Sequence, residues 1–517
     1  MAKTMLQILK IGFALLTLNF LAIPSKADDT SYDLLIKNVI LISPERDLPL
    51  KNVHIAIKGD KIVRVSREPI KWHAKKEIDG TGKYLTPGLI DSHVHLYHAP
   101  GLKRHYTSNY DALYNQYLDQ MPRSYLYYGY TTIVETNADV QSNKRFLSTP
   151  IHPELIHCGK GVILSDGFMA MEFPKKSLLS YAPNFLHDRF NDGYLPNGVD
   201  AADHSPKAVV KNRLKAGAKC LKIYYEEALW MPEQERKFSL PSVQIMQELV
   251  SEAHAHNLPV ILHGTSPAAY SFGANVGVDI MAHGLWDWRN NNYSLPDVPE
   301  NVTTSILEVA KSGIKVQPTF GALRHTISMF DFGLLERKGL KHALPTDFIS
   351  YLKTDGQRQK DIFLRLFGEK IVTGGGKKNV SLAMEKMFTR YGRIVGDMNS
   401  KKVRFLFGTD TSSGGFGWGS LAGFSSYVEM QNWEQSGISL KSIFAAATQE
   451  NARAFGIQDR LGTIEEGKQA NLLLLTQNPW ETIEAYDNIE WVVLGGVAHD
   501  RNNFSALKDD TSKQAVH

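Results

Sequence analysis

The stretch Tyr84-Leu85-Thr86-Pro87-Gly88-Leu89-Ile90-Asp91-Ser92-His93-Val94-His95 runs a short apolar strand candidate straight into two histidines spaced two apart. In an extended segment, residues two apart point the same way, so both imidazoles can reach one ion. The spacing alone is weak. With 18 His in 517 residues, chance supplies about 0.6 such pairs. A second one does occur, at His254-Ala255-His256. It sits in a helix-like stretch, residues 250–256, where neighbours two apart face roughly opposite sides. That pair is expected to have a surface or packing role.

The character of the chain changes on either side of the quoted stretch. Residues 32–84 hold short alternating runs, such as Val53-His54-Ile55-Ala56-Ile57 and Ile62-Val63-Arg64-Val65, punctuated by Asn, Asp, Gly and Pro. That is the style of antiparallel strands joined by tight turns. The far end repeats it in Asn471-Leu472-Leu473-Leu474-Leu475 and Trp491-Val492-Val493-Leu494. A small β-sandwich built from both chain ends, residues 28–85 and 457–505, is the expectation.

The middle, residues 86–456, alternates short apolar runs with longer helix-like stretches, which argues for βα units and a parallel sheet. Its strand candidates are Leu89-Ile90-Asp91, Thr131-Thr132-Ile133-Val134, Gly161-Val162-Ile163-Leu164, Cys220-Leu221-Lys222-Ile223, Val260-Ile261-Leu262-His263, Asp279-Ile280-Met281-Ala282, Ile314-Lys315-Val316 and Val403-Arg404-Phe405-Leu406-Phe407. Eight strands match an α/β fold of the (β/α)8 TIM-like barrel type, with its chemistry at the C-terminal strand ends. An open doubly wound sheet is the alternative, but no Gly-rich phosphate loop follows the first strand. Segments 97–123, 166–213 and 320–402 far exceed ordinary connections and would build walls over the active face.

Polar groups gather at those strand ends. His263 closes Val260-Ile261-Leu262, His283 follows Ile280-Met281-Ala282, and Asp410 follows Phe405-Leu406-Phe407-Gly408-Thr409. Lys222 lies inside a run otherwise apolar. A single buried histidine is more often a satisfied core residue than a ligand. Several ligand types at one end of one barrel point instead to a catalytic ion of the Zn²⁺ kind.

Composition narrows the rest. With 22% charged and 43% hydrophobic residues, 40 Gly and 22 Pro, the chain is neither collagen, coiled coil nor disordered. A net charge of +4 makes no basic face, so nucleic acid is not an expected partner. The two cysteines, Cys158 and Cys220, exclude a disulfide framework or a four-thiolate site. One bridge is possible, but two buried thiols are expected. Lys3 and Lys10 flank a start that leads into an apolar run, residues 11–23, ending in Ser25-Lys26-Ala27. The run is about 20 Å long as a helix, short of a bilayer's hydrocarbon core, so residues 1–27 read as a cleaved signal peptide. The mature protein would then be periplasmic or secreted, with no membrane span; a homo-oligomer is compatible with the sequence.

At this point the chain resembles the amidohydrolase superfamily, in the branch with imidazolonepropionase-like and prolidase-like enzymes. The likeness runs over residues 32–497. It is most specific in residues 84–95, in Ala445-Ala446-Ala447-Thr448-Gln449-Glu450-Asn451-Ala452-Arg453-Ala454-Phe455-Gly456, and in Leu461-Gly462-Thr463-Ile464-Glu465-Glu466-Gly467-Lys468-Gln469-Ala470-Asn471-Leu472. The family usually has Asp where Asn471 stands, a departure that bears on stability rather than chemistry.

The resemblance implies two divalent metal ions, Zn²⁺ being the expected one. His93, His95 and Asp410 would bind the first, and His263 and His283 the second. Lys222 would bridge them as a carboxylated lysine, since an ammonium would repel both ions. It further implies hydrolysis of a C–N bond in a small peptide or N-acyl amino acid by metal-activated water, with Asp410 as the proton carrier. Tyr224, two after Lys222, is the candidate donor to the oxyanion, with Tyr225 the alternative. Arg324 and His325 could grip a substrate carboxylate. A lactone, ester or phosphotriester substrate at the same site is the near rival, and a catalytically silent binding protein on the same barrel the distant one.

Overall fold

The computed structural model describes residues 31–68, 73–102, 110–137, 140–229, 233–287, 298–330, 333–371, 380–412 and 417–508. The leader expected at residues 1–27 lies outside the described residues. No described helix is long and apolar enough to cross a membrane.

The early strands are β1 (Ser31–Leu41), β2 (Leu50–Lys58), β3 (Lys61–Ser66), β4 (His73–Asp79) and β5 (Tyr84–Pro87). The late ones are β14 (Leu472–Leu475), β15 (Ile489–Leu494) and β16 (Val497–Asp500). They form one eight-stranded sheet in the order β16-β15-β14-β5-β1-β2-β3, with β4 also paired to β1. Hydrogen bonding therefore joins both chain ends in a single sheet that forks at β1. Strand β1 is long enough to do this: Ser31 to Lys37 pair with β4, and Ile40 and Leu41 with β5. Leu34, Ile36, Val53, Ile55 and Leu474 bury the core face. Asn471 is buried beside it, its side-chain oxygen accepting from the Gly495 N–H at 2.8 Å, a role that Asp could also fill.

The middle supplies eight parallel strands: β6 (Leu89–Val94), β7 (Tyr130–Glu135), β8 (Glu154–His157), β9 (Leu221–Tyr224), β10 (Val260–His263), β11 (Ile280–Ala282), β12 (Lys315–Gln317) and β13 (Arg404–Phe405). They form a five-stranded sheet, β13-β12-β11-β10-β9, and a three-stranded one, β6-β7-β8. Backbone hydrogen bonds link the sheets at both edges. Ser92 N–H donates to Phe407 O at 3.0 Å and Asp410 N–H to His93 O at 2.8 Å; on the other side Lys219 N–H, just before β9, donates to His157 O of β8 at 2.9 Å. Ile90, Val134, Ile156, Ile261, Ile280 and Leu406, drawn from both sheets, share one buried cluster.

The third strand is not where the sequence placed it. Residues 161–164 make only isolated bridges, Val162 to Ile223 and Leu164 to Leu186, while β8 takes the strand position. In β8, Glu154 and His157 bracket only two apolar residues, so its periodicity is too short to read. The 161–164 run is apolar because it is packed, with Val162 fully buried.

The helices start and stop on recognisable residues. The side chains of Ser205, Ser242 and Ser266 cap the helices Pro206–Lys215, Val243–Ala255 and Pro267–Val276, two of them with Pro in the first turn. Left-handed Gly277 ends the last of these. Cys158 and Cys220 form a disulfide, with Cα atoms 4.4 Å apart. Two free thiols were expected; the pairing follows from β8 and β9 being neighbours, a relation hidden while β8 was unrecognised.

Candidate metal centre

His93 is the penultimate residue of β6 and is 1% exposed. Its Nδ1 lies 3.1 Å from Gln317 Oε1, at the end of β12. Its Nε2 faces Asp410 Oδ1 and Lys222 Nζ, each at 3.4 Å. His95 places Nδ1 3.2 Å from Glu135 Oε1, at the end of β7, and Nε2 2.9 Å from Asp410 Oδ1. His283, just past β11, meets Thr319 Oγ1 through Nδ1 at 2.9 Å. His263, ending β10, meets Glu226 Oε2 through Nε2 at 2.9 Å. The His283 ring centroid is 5.2 Å from that of His93 and 4.5 Å from that of His263.

Each imidazole thus has one nitrogen held by an oxygen outside the cluster. That leaves Nε2 of His93, His95 and His283, and Nδ1 of His263, to point inward. An outer acceptor that takes the ring N–H fixes the tautomer and presents the other lone pair, which is how ligand histidines are prepared. The inward atoms of His93, His95 and Asp410 lie within 4.8 Å of one another, a spacing that one ion can span.

Electrostatics agree with that use at His93 and His283, while the acids around His95 favour its protonated form. Burial, then the Lys222 charge, holds His93 well below the ordinary imidazole range. Burial and the neighbouring His263 do the same to His283. Both are therefore neutral, the form that binds metal. Burial would also depress His95, but its bonds to Asp410 and Glu135 outweigh it and lift the ring to about 9. Burial would raise Asp410, yet the His95 hydrogen bond and nearby histidines keep its carboxyl far below the usual range. Burial brings Lys222 down to about 7 despite the attraction of Asp410. A neutral amine there fits a lysine that can take up CO₂.

The backbone is strained at the same places. His283, Thr319 and Asp410 have φ of +77°, +51° and +60°. Such left-handed positions cost about 1–3 kcal/mol each for residues other than glycine and collect at functional sites. Asp91, fully buried, stitches the neighbourhood together by accepting from Thr409 Oγ1 at 2.7 Å, Ser426 Oγ at 2.8 Å and the His93 N–H at 3.2 Å. Burial still pushes its carboxyl up to about 7.

Tyr224 pairs in register with His263, and their rings lie 5.4 Å apart. A Cβ on Gly161 would come within 2.5 Å of its hydroxyl, so glycine there makes room for the phenol. Tyr225 alternates to the other side and packs on Phe272 at 4.5 Å, which corrects its reading as a site residue. Arg324 and His325 sit on the helix Phe320–Ile327. Arg324 donates to Asn432 Oδ1 at 3.0 Å and lies over Phe388. His325 is buried. His254 and His256 stay on the surface, paired with Asp279 and Glu252.

Four residues that orient the histidines were not anticipated: Glu135, Glu226, Gln317 and Thr319. Glu135 and Gln317 had a signal, as polar residues closing apolar strands. Glu226 and Thr319 lie in loops and had none.

Residues 84–498 match the model of the Amidohydrolase family, and the chain belongs to that family. A 5-methylthioadenosine/S-adenosylhomocysteine deaminase of Thermoanaerobacter pseudethanolicus is 45% identical over 65 residues, 12% of this chain and 15% of that protein. An imidazolonepropionase of Alkaliphilus metalliredigens is 39% identical over 84 residues, 13% of this chain and 20% of that protein. The matched stretches therefore span a fifth or less of these relatives. Among solved structures, a Xaa-Pro dipeptidase with methionine in its active site is similar at a TM-score of 0.59 and 18% identity, over 90% of this chain and 99% of that one. At that identity the likeness shows the fold.

Proposed function

We propose that this protein is an exported, metal-dependent hydrolase that cleaves the C–N bond of a small peptide or N-acyl amino acid. One observation carries the reading: four histidines, a lysine and an aspartate converge, and every imidazole has a single nitrogen tied from outside. Membership of the amidohydrolase family and the fold of a Xaa-Pro dipeptidase support the bond type. The leader pattern and the Cys158–Cys220 bridge support an oxidising compartment. The edge-to-edge hydrogen bonds and shared interior support the two parallel sheets being arcs of one (β/α)8 barrel.

His93, His95 and Asp410 would hold one divalent ion, His263 and His283 a second, with Lys222 between them as a carbamate; the histidine-rich donor set suits Zn²⁺. Bound there, the ions would supply a water acidified to near neutral pH and a polarised substrate carbonyl. The protein's own groups do the rest. Asp410, kept anionic, takes a proton from the attacking water and passes it to the leaving nitrogen. Tyr224 donates its phenolic hydrogen bond to the oxygen on which charge develops.

Metal analysis of the purified protein, followed by a comparison of dipeptides and N-acyl amino acids with esters and lactones, tests the proposal. Two divalent ions per chain and turnover of amides are expected. Turnover confined to esters or lactones would overturn the C–N reading.

A further inference from the structure

We propose that Glu429, in the helix Phe424–Gln435 and outside the cluster, is a positioning residue that anchors both halves of the metal centre together. The inference rests on the two-ion reading above. Glu429 is fully buried. Its Oε1 accepts from the Phe320 N–H and from Trp433 Nε1, and its Oε2 from the Gly321 N–H, all at 2.9 Å. Those two amides open the helix Phe320–Ile327, where no helical carbonyl can satisfy them and a negative charge is favoured.

The turn pinned in this way, residues 317–321, reaches one histidine of each pair. Gln317 holds His93 Nδ1, and its own amide nitrogen donates to Ser92 O at 2.9 Å and Ser92 Oγ at 2.7 Å. Thr319 holds His283 Nδ1, and the Gln317 carbonyl accepts from the His283 N–H at 3.0 Å. The turn is also pressed against the segment bearing Asp410, since a Cβ on Gly321 would meet Thr409 O at 2.2 Å. Thr319 stands at φ +51°, a conformation that persists only where its surroundings impose it. The Glu429 carboxyl, on a neighbouring helix, supplies part of that constraint, with Tyr391 Oη–H donating to Pro318 O as a second tie. By contrast, Glu135 reaches only His95, and Glu226 only His263 among the four histidines.

Glu429→Gln keeps the volume but sets an NH₂ group against an amide N–H. In a titration of metal-free full-length protein with Zn²⁺ against a competing chelator, both stepwise affinities should fall together. A fall of about 10–100-fold is the range for a lost orienting contact. Glu226→Gln should weaken only one step. Glu429→Asp, which keeps the carboxyl group but shortens the reach, is the milder variant and should give a smaller parallel loss if Glu429→Gln does not fold. A lowered melting temperature with both affinities unchanged would make Glu429 merely structural and overturn the proposal. Loss of one affinity alone would overturn the shared anchor. Wild-type protein that binds fewer than two ions would overturn the two-ion reading itself, and this proposal with it.

Discussion

Nε2 of His95 lies 2.9 Å from Oδ1 of Asp410, two groups separated by 315 residues of chain. β6 leads into the first and β13 into the second, and the backbone bond from Asp410 N–H to His93 O fixes their register. The contact has a chemical result. It holds the carboxylate anionic against the pull of burial, so both oxygens are free of a proton, while lowering its basicity.

Asp410→Asn removes that acceptor while leaving an oxygen in place. Turnover should fall by about 10²–10⁴-fold, the usual worth of a positioned general base. Metal content by elemental analysis should be largely retained. Near-normal turnover would remove Asp410 from proton transfer.

Tyr224→Phe should lower kcat by about 10²-fold or more, with little change in KM, if its hydroxyl meets the developing oxyanion. Tyr225→Phe should change neither, because that ring packs on Phe272. Equal effects of the two substitutions would contradict the assignment.

Lys222 titrates near 7 in the folded protein, below its ordinary 10.5. Between those values the unfolded chain binds more protons, so this group's contribution to stability rises as pH increases across the window. The same deprotonation exposes an amine able to take up CO₂. Metal-free protein followed by ¹³C NMR in labelled bicarbonate should gain carbamate as pH crosses about 7, and Lys222→Ala should gain none there. Uptake that is flat from acid to alkaline pH would argue against carboxylation of Lys222.

His254→Ala should be nearly harmless. The side chain is exposed and pairs with Asp279, a surface contact worth about 0–1 kcal/mol. A large loss of bound metal would show that the pair at His254 and His256 reaches the site after all.

Cys220→Ser breaks a bridge across 62 residues of sequence, for which chain entropy gives about 4 kcal/mol. Thermal unfolding of the oxidised protein should drop by several degrees, and added reductant should shift the wild type but not the variant. No difference between them would mean that the bridge contributes little to stability.

Much of the centre was legible because its groups break a rule. A lysine within an apolar strand, or a histidine or aspartate closing one, conflicts with burial unless chemistry requires it, and Lys222, His263, His283 and Asp410 stand out on that ground. Glu135 carries the same signal one residue beyond Val134, where the apolar run that marks the strand ends. Thr319 and Glu226 orient their histidines from loops, where polar residues are ordinary and spacing says nothing. Arg324 is less legible: a basic residue after a strand looks like a substrate clamp, and the helix it lies on also sets it over Phe388. The missed strand β8 also hid the disulfide, because only adjacency of β8 and β9 brings Cys158 to Cys220.

In the mixed sheet, β5 lies between β1 and β14, with Pro87 opposite Leu472 and Tyr84 opposite Leu475. On the ribosome, that places the last seam of the sheet near the end of synthesis. At about 5–20 residues per second, residues 88–471 take on the order of 20–80 s to emerge. Throughout that interval one flank of β5 offers unclaimed amides and carbonyls to any extended peptide nearby. A chain cut short before residue 472 would keep that flank of β5 open, a liability that a sheet encoded in one contiguous stretch would escape.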